Sequence, residues 1–179
     1  MRIVGGTHKS RRFTPPKGLP VRPTTDFAKE GLFNVLRNYI DTENASVLDL
    51  CAGTGNMTFE FASRGAASVL AVDQHLACIK FIKKATVQLG FKGITVIKAD
   101  VFKFISKLNG SYDIIFADPP YGLEDTNNLP STIFRKNLLN ENGLLIVEHG
   151  RETNFEDHEH FYSTRKFGNV NFSFFEKIN

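Results

Sequence analysis

The chain alternates between short apolar runs and longer segments in which apolar residues recur every three or four positions. The apolar runs predict β-strands at residues 46–50, 68–72, 94–98, 112–117 and 143–148. The intervening segments predict helices at residues 56–63, 76–89, 101–108 and 130–139. Strands that alternate with helices are typical of a doubly wound α/β sheet, mostly parallel, with helices on both faces.

Both ends of the chain depart from this alternation. Residues 24–26 read Thr-Thr-Asp and supply N-cap side chains for a helix whose apolar positions begin at Ala28. Residues 14–23 contain four prolines and a glycine, which favours an extended segment. Apolar segments at residues 161–167 and 170–175 flank a Gly-Asn dipeptide, which is typical of a hairpin turn. We therefore predict that an antiparallel hairpin closes one edge of the sheet.

Composition narrows the class of protein. A length of 179 residues, 41% of them hydrophobic and 23% charged, is ordinary for one globular domain. No apolar run is long enough to span a bilayer, and the first residues lack the apolar core of a secretory signal. Two cysteines do not make a disulfide framework, and no Cys/His cluster has zinc spacing. We expect a cytoplasmic protein with no membrane association and no metal.

Positive charge is concentrated near the start of the chain. Residues 1–30 contain seven Lys and Arg against two Asp and Glu, a local charge of +5, whereas the whole chain carries +3. We predict a basic N-terminal arm at residues 1–23 and a single domain at residues 24–179. Such an arm can be solvated without a function, or it can bind a phosphate backbone. For the second case the candidate RNA-binding residues are Arg11, Arg12, Lys17 and Arg22.

The loop after the first predicted strand has the features of a ligand site. Ligands of open α/β sheets bind at the carboxyl ends of the strands, and here Gly53 and Gly55 let the backbone approach a ligand closely. A dinucleotide fingerprint would need a third glycine where Thr58 stands. Asp49, near the strand end, would repel a pyrophosphate but suits a ligand that carries an ammonium group.

Two more carboxylates follow the next strands. Asp73 can accept hydrogen bonds from both hydroxyls of a ribose. Asp100 can bind an adenine amino group while Val101 and Phe102 sandwich the ring. Each aspartate alone could be a helix cap, but together they describe a phosphate-free adenosyl amino acid, S-adenosylmethionine. The candidate cofactor-binding residues are Asp49, Cys51, Ala52, Gly53, Thr54, Gly55, Asn56, Asp73, Gln74, Asp100, Val101 and Phe102.

The fourth strand ends in a stiff corner, Asp-Pro-Pro-Tyr at residues 118–121. Each proline fixes φ near −65° and keeps the preceding residue out of helical space. Asp118 and the carbonyl of Pro119 could accept the two N–H groups of an amine on a planar ring, while Tyr121 stacks on its face. We therefore take Asp118, Pro119, Pro120 and Tyr121 as the candidate catalytic residues, acting on a nucleobase amine.

These motifs together resemble a known superfamily. Residues 47–55, Asp73, Asp100 and residues 118–121 are similar to the motifs of class I S-adenosylmethionine-dependent methyltransferases. The resemblance implies a Rossmann-like sheet of seven strands with an antiparallel C-terminal edge hairpin, and S-adenosylmethionine as the cofactor.

Three further segments narrow the resemblance. Residues 1–6, 22–26 (Arg-Pro-Thr-Thr-Asp) and 29–36 resemble the bacterial 16S ribosomal RNA guanine-N2 methyltransferase family. Membership would imply a monomer that methylates the exocyclic N2 amine of one guanine in small-subunit rRNA, in an assembled or assembling 30S particle. Gly31 and Cys51 depart from the family pattern, as do Phe167 and Val170 near the C-terminus.

Two other functions fit the same residues. Asp-Pro-Pro-Tyr also occurs in adenine-N6 methyltransferases of DNA or RNA, although the chain has no long insertion that could serve as a DNA target-recognition domain. A ribosome-assembly factor could also keep the cofactor fold and bind RNA without turnover. The residues alone do not separate guanine N2 from adenine N6.

Overall fold

A computed structural model describes residues 1–16, 18–19, 24–120 and 126–177. Seven strands form one sheet in the order β3-β2-β1-β4-β5-β7-β6. They are β1 Ser46–Leu50, β2 Ser68–Asp73, β3 Ile94–Lys98, β4 Tyr112–Ala117, β5 Leu139–His149, β6 Phe161–Phe167 and β7 Val170–Glu176. The first five are parallel, and β7 runs antiparallel to both β5 and β6. The predicted α/β sheet with an antiparallel edge hairpin is confirmed.

Helices cover both faces of the sheet. They are α1 Asp26–Leu36, α2 Asn56–Ser63, α3 Leu76–Leu89, α4 Val101–Lys107 and α5 Leu129–Arg135, the last preceded by a short 3-10 helix at Thr126–Asn128. Helix α1 begins as its sequence predicts, because the Thr25 side chain accepts a hydrogen bond from the Ala28 N–H at 3.2 Å.

The junction between α5 and β5 was predicted wrongly. The expected helix at 130–139 ends at Arg135, and the expected strand at 143–148 begins already at Leu139. An irregularity separates the pairs Tyr112–Leu139 and Ile114–Leu144, so β5 carries extra residues opposite β4. These extra residues are polar and include Asn142 at φ 59°. Because they interrupt the apolar run, the hydrophobic pattern does not predict the first part of β5.

The alternating strand residues divide the core between the two faces. Val47 and Ile146 pack into the cluster that includes residues of α1 and α2, whereas Leu48 and Leu145 pack into the cluster with α4 and α5. This is the period-two alternation of a sheet buried on both faces. A third cluster surrounds Ile82 of α3.

The first thirteen residues pack onto the domain as a hairpin-like segment. Arg2 and Arg12 form an antiparallel bridge, and the Met1 ammonium donates to the Phe13 carbonyl at 2.8 Å. Ile3 and Phe13 are buried in the cluster around α3. The basic segment therefore has a fixed position over residues 1–13, which its charge and prolines did not predict.

A buried lysine ties this segment to two helices. Lys29 of α1 is fully buried and lies 3.0 Å from the Glu60 carboxylate of α2, which is also fully buried. Lys29 also donates to Asn56 Oδ1 at 2.9 Å and to the Arg2 carbonyl. The same Glu60 oxygen accepts the Val4 N–H at 2.7 Å. These contacts offset the loss of water around Lys29 and around Glu60 Oε1, whereas among the described residues the other Glu60 oxygen has only the Arg64 guanidinium nearby, at 3.7 Å.

Neither a membrane span nor a metal cluster occurs in the described ranges. No helix there is long and apolar enough to cross a membrane. Nor does any group of three or more His, Cys, Asp or Glu side chains among those residues have an arrangement that could hold a metal ion.

We predict that Lys29→Met lowers the free energy of unfolding by about 3–5 kcal/mol, because the buried Glu60 then keeps, of the described side chains, only the more distant Arg64 guanidinium, 3.7 Å away, as a cationic neighbour. Urea unfolding followed by circular dichroism measures the loss. Lys83→Met, which removes an exposed lysine of α3, is the matched control and should change stability by less than about 0.5 kcal/mol.

The double variant Lys29→Met with Glu60→Gln separates charge from packing. It should recover part of the loss, because the amide leaves no uncompensated charge and its oxygen still accepts the Val4 N–H. A loss for Lys29→Met no larger than that of the control would show that the buried pair does not hold these elements together.

Candidate active site

A cavity of about 660 Å³ opens at the carboxyl ends of the parallel strands. This is where ligands bind in open α/β sheets. Its walls bring together most of the residues that the sequence predicted as a site: Asp49, Cys51, Ala52, Gly53, Thr54, Asn56, Asp73, Gln74, Asp100, Val101, Asp118, Pro119 and Pro120.

Some predicted site residues have other positions. Gly55 is the N-cap of α2, with its backbone against Phe59, and does not line the cavity. Phe102 packs against the core cluster on the α4 side and is likewise absent from the cavity walls. Three predicted residues lie outside the described residues: Tyr121, Lys17 and Arg22.

The loop after β1 makes a tight turn in left-handed backbone conformations. Cys51, Gly53 and Gly55 have φ values of 60°, 55° and 74°. The Gly55 N–H donates to the Ala52 carbonyl at 2.7 Å, which closes the turn. Glycine adopts this conformation freely, whereas at Cys51 it costs free energy. Residues 51–54 of this turn line the cavity.

Asp73 at the end of β2 is buried and holds this turn in place. One carboxylate oxygen accepts the Gly53 N–H at 2.8 Å, and the other accepts the His75 N–H at 2.7 Å. Asp100 is exposed and caps α4, accepting the Lys103 N–H at 3.0 Å. Both aspartates therefore serve the local backbone and also border the cavity.

Asp49 is a buried carboxylate without a cationic partner among the described side chains. Burial is the main cause that raises its pKa to about 7; the hydrogen bond from Thr58 lowers it, and Asp73 raises it further. Burial also raises the pKa of the neighbouring Cys51 thiol, as do the surrounding aspartates. This corner of the cavity is therefore electronegative and would stabilise a bound cation.

Asp118 lies next to a second buried carboxylate, Glu148. The parallel register pairs Ala117 of β4 with Val147 of β5, so the following residues, Asp118 and Glu148, occupy neighbouring strand ends. Burial raises the pKa of Asp118 well above its usual range, and the charges of Glu148 and Asp49 raise it further. Burial likewise raises the pKa of Glu148 to about 7. Like charges this close favour a shared proton.

Glu148 is absent from the site that the sequence predicts. A signal for it was present, because the apolar run of β5 also ends in a carboxylate, as the run of β4 does at Asp118. The four predicted aspartates stand at the ends of β1 to β4, and Glu148 stands at the end of β5 in the same way.

A chain of hydrogen bonds connects Glu148 with the buried lysine. The Thr24 hydroxyl donates to Glu148 Oε2 at 2.8 Å, and the Thr24 carbonyl accepts Asn56 Nδ2–H at 2.8 Å. Asn56 in turn accepts from Lys29. The Thr-Thr-Asp segment therefore caps α1 and also orients a carboxylate in the cavity.

Two aromatic features at the mouth of the cavity were also missed. Phe27 of α1 is 65% exposed although it lines the cavity, and it makes an edge contact with Phe167 of β6 at 6.2 Å. The turn between β6 and β7 borders the same mouth at residues 167–170. Helical periodicity carries a signal for Phe27, because this residue precedes the apolar positions of α1, which begin at Ala28.

The N-terminal segment lies close to the cavity. Met1 Sδ is 2.8 Å from the Thr54 hydroxyl of the glycine turn. Arg11 and Arg12 are both exposed on this segment. Two of the four predicted RNA-binding residues are therefore exposed on a segment of fixed position whose first residue contacts the glycine turn.

Comparison with known proteins gives the family. A family model described as conserved hypothetical protein 95 matches residues 1–176. The ribosomal RNA small subunit methyltransferase D of Buchnera aphidicola (subsp. Baizongia pistaciae) is 31% identical over 148 residues, which are 83% of this chain and 75% of that protein. The protein of the same name from Escherichia coli K12 is 33% identical over 150 residues, 83% of this chain and 71% of that protein.

Solved structures agree in fold. A hypothetical protein of Thermus thermophilus superposes with a TM-score of 0.86 over 99% of both chains, at 22% identity. A 16S rRNA N2 methyltransferase of the same species, solved with AdoMet and guanosine, superposes with a TM-score of 0.73 over 90% of this chain and 46% of that one, at 22% identity. The chain has the class I methyltransferase fold, and it belongs to the conserved hypothetical protein 95 family, together with the ribosomal RNA small subunit methyltransferase D proteins.

Proposed function

We propose that this protein transfers a methyl group from S-adenosylmethionine to the exocyclic N2 amine of a guanine in small-subunit rRNA, in an assembled or assembling 30S particle. The main support for the proposal is the set of residues that line the cavity. The cavity joins the Asp-Pro-Pro corner to an electronegative glycine turn, in a chain that belongs with small-subunit rRNA methyltransferases. The protein acts as a monomer in the cytoplasm.

The residues around the glycine turn fit the cofactor. Asp49 is a buried carboxylate that lacks a cationic partner among the described side chains, and it would bind the ammonium group of the amino-acid part. Asp73 would accept the ribose hydroxyls beside the backbone of Gly53, and Asp100 and Val101 would contact the adenine. The cofactor supplies a methyl group on a positively charged sulfur, and the surrounding carboxylates favour that charge.

The corner at the end of β4 would hold the acceptor. The lone pair of a guanine amine is delocalised into the ring, so the amine is a weak nucleophile. Asp118 and the Pro119 carbonyl would accept its two hydrogens and aim the lone pair at the methyl carbon. Alignment of this kind can supply about 7–11 kcal/mol of the barrier. The proton that leaves after transfer can go to the carboxyl pair of Asp118 and Glu148, whose raised pKa values suit a proton acceptor near neutral pH.

The basic N-terminal segment would bind the RNA backbone. Arg11 and Arg12 are exposed, and their segment contacts the glycine turn through Met1. Lys17 and Arg22, outside the described residues, complete the proposed set. Phosphate contacts position the RNA without reading its sequence. A target base must still leave its stack to reach the cavity, as for other base-modifying enzymes.

The proposal predicts the substrate of a labelling experiment. With tritiated S-adenosylmethionine, the protein should label undermodified 30S subunits, and digestion should give N2-methylguanosine. Naked 16S rRNA, DNA and modified 30S subunits are the comparison substrates. Label on DNA alone, or N6-methyladenosine in the digest, would replace the proposal with the adenine alternative. Cofactor binding without transfer to any of them would indicate a non-catalytic assembly factor.

Asp118→Ala is the control for the chemistry in this assay. Transfer should fall by at least roughly 100-fold, because orientation of the amine is lost. Cofactor affinity measured by calorimetry should stay within about threefold, because Asp118 contacts the acceptor. A collapse of cofactor affinity would place Asp118 in the cofactor site.

Cofactor affinity should depend on pH through Asp49. Its pKa is raised to about 7, and only the ionised carboxylate can pair with an ammonium group, so affinity is high above this pH and falls below it. From pH 7.5 to pH 5.5 we expect the Kd to rise by roughly 20-fold, the change in the ionised fraction. Isothermal titration calorimetry at both pH values measures this ratio.

Asp49→Asn is the matched variant. It should bind the cofactor weakly at both pH values, with Kd values within about threefold of each other. Asp73, Asp118 and Glu148 face the same cavity and remain in this variant. If Asp49→Asn kept the pH dependence of the wild type, those carboxylates and not Asp49 would be its source.

The RNA surface is tested by salt dependence. Replacement of Arg11 and Arg12 by alanine should reduce the slope of log affinity for 30S subunits against log salt by about 0.7–0.9 for each lost phosphate contact. The control replaces Lys107 and Arg135, exposed cations of α4 and α5 on the other face of the sheet, and should leave the slope unchanged. Equal slopes for the two double variants would show that the segment does not contact phosphate.

A further inference from the structure

We propose that Glu148 determines the base specificity of the acceptor pocket by accepting the N1–H of guanine. This inference rests on the proposed function and adds a residue to it. Nothing in the family comparison assigns a role to this side chain. It is supported by three observations, namely the strand register, the hydrogen bond from Thr24 and the position of the carboxylate on the cavity wall.

The register fixes the spacing of two acceptors. Because Ala117 pairs with Val147 in parallel strands, the Asp118 and Glu148 backbones lie side by side, about 4.8 Å apart as for any neighbouring strands. Both side chains line the same cavity, and the charge of Glu148 acts on Asp118. When both are ionised, the two carboxylates at neighbouring strand ends form an edge that consists only of acceptors, and binding of a base with three donors favours this ionised state.

The Watson–Crick edge of guanine complements this edge. The N2 amine has two N–H groups, and the adjacent ring nitrogen N1 has a third. With the amine held by Asp118 and the Pro119 carbonyl, the N1–H faces the neighbouring strand end, where Glu148 lies. Three donors then meet three acceptors, and each hydrogen bond to a carboxylate is of the stronger, charge-assisted kind.

Adenine does not complement the same edge. Its amine can use Asp118 and the Pro119 carbonyl equally well, but its ring N1 is an acceptor. The N1 lone pair would face the oxygens of Glu148 with no hydrogen between them. A buried acceptor left unpaired in this way is strongly disfavoured. Glu148 therefore supplies the distinction between guanine N2 and adenine N6 that the Asp-Pro-Pro corner cannot make.

Thr24 fixes which oxygen faces the base. Its hydroxyl donates to Oε2 at 2.8 Å, and Thr24 is itself held by Asn56. Because Thr24 occupies Oε2, Oε1 is the oxygen left to accept the N1–H of the base. Both residues are almost completely buried, which limits the rotamers open to Glu148.

The test compares guanine with 2-aminopurine at the nucleotide that the wild type labels. 2-Aminopurine keeps the N2 amine, but its N1 is an acceptor as in adenine. Small-subunit rRNA ligated with either base is assembled into 30S particles, and single-turnover methyl transfer is measured. The wild type should prefer guanine by at least roughly 100-fold, the discrimination expected for a lost charge-assisted hydrogen bond.

Glu148→Gln should reverse this preference at nearly constant volume. Thr24 donates to the amide oxygen, so the amide N–H₂ turns into the cavity, where it opposes guanine N1–H and donates to 2-aminopurine N1. The guanine to 2-aminopurine rate ratio should therefore fall by more than roughly 100-fold relative to the wild type. 2-Aminopurine also lacks the O6 atom of guanine. The effect of this loss is the same for the wild type and for Glu148→Gln, so it cancels when their rate ratios are compared.

Two controls keep the result clear. Glu141→Gln makes the same chemical change at an exposed position at the other end of β5 and should leave the ratio unchanged. Glu148→Ala, which removes acceptor and donor together, should slow guanine transfer and bring the ratio close to one. Cofactor affinity and thermal unfolding of each variant show that the fold and the cofactor site are intact.

The outcomes separate the inference from the function. If the wild type methylates guanine but Glu148→Gln slows both substrates equally, Glu148 does not read N1 and the inference is wrong, while the proposed function stands. A wild type that prefers 2-aminopurine would likewise contradict it, because Glu148 would then act as a donor. If the wild type transfers no methyl group to either particle, the proposed function fails and the inference with it.

Discussion

The ion pair between Lys29 and Glu60 is the interaction on which the rest of the site depends. Both groups are fully buried, so they need ion pairs and hydrogen bonds to remain charged. Lys29 pairs with Glu60 at 3.0 Å, and Glu60 also lies 3.7 Å from the Arg64 guanidinium. The Lys29 ammonium donates hydrogen bonds to the Arg2 carbonyl and to Asn56 Oδ1, and the Glu60 carboxylate accepts one from the Val4 N–H. The N-terminal segment, α1 and α2 are joined at one point. Because Asn56 holds Thr24, the same network reaches the carboxylates of the cavity.

This connection has a consequence for the basic segment. A tail joined only by its covalent link would sample many positions, and each phosphate contact would cost ordering entropy. Here the backbone of residues 1–13 is fixed by hydrogen bonds, two buried side chains and the contact of Met1 with Thr54. Exposed cations on a preorganised segment can orient an RNA relative to the cavity at a lower entropic cost.

The hydrophobic pattern predicted most of the fold because each parallel strand is buried on both faces and each helix has one apolar side. It failed at Leu139, where polar residues bulge out of a strand. It also gave no reason for Gly31, a costly residue inside a helix. A side chain there would start 2.2 Å from the Phe167 ring. Gly31 and Phe167, two of the four positions at which the sequence departs from the pattern that it resembles, contact each other, and only the structure shows that they form one packing unit.

The sequence predicted four of the five described carboxylates that line the cavity, all except Glu148, but it did not predict their protonation behaviour. Asp49, Asp118 and Glu148 are brought together by strand register, and burial raises the pKa of each, so the pocket is an unfavourable place for three negative charges. Bound ligands would reduce this cost of buried negative charge. A cation would stabilise the ionised Asp49, and hydrogen-bond donors would stabilise the ionised Asp118 and Glu148. Asp49 also acts on Asp118. A cation bound at Asp49 would therefore lower the pKa of Asp118. Cofactor binding would in this way favour the ionised Asp118 that accepts hydrogen bonds from an amine.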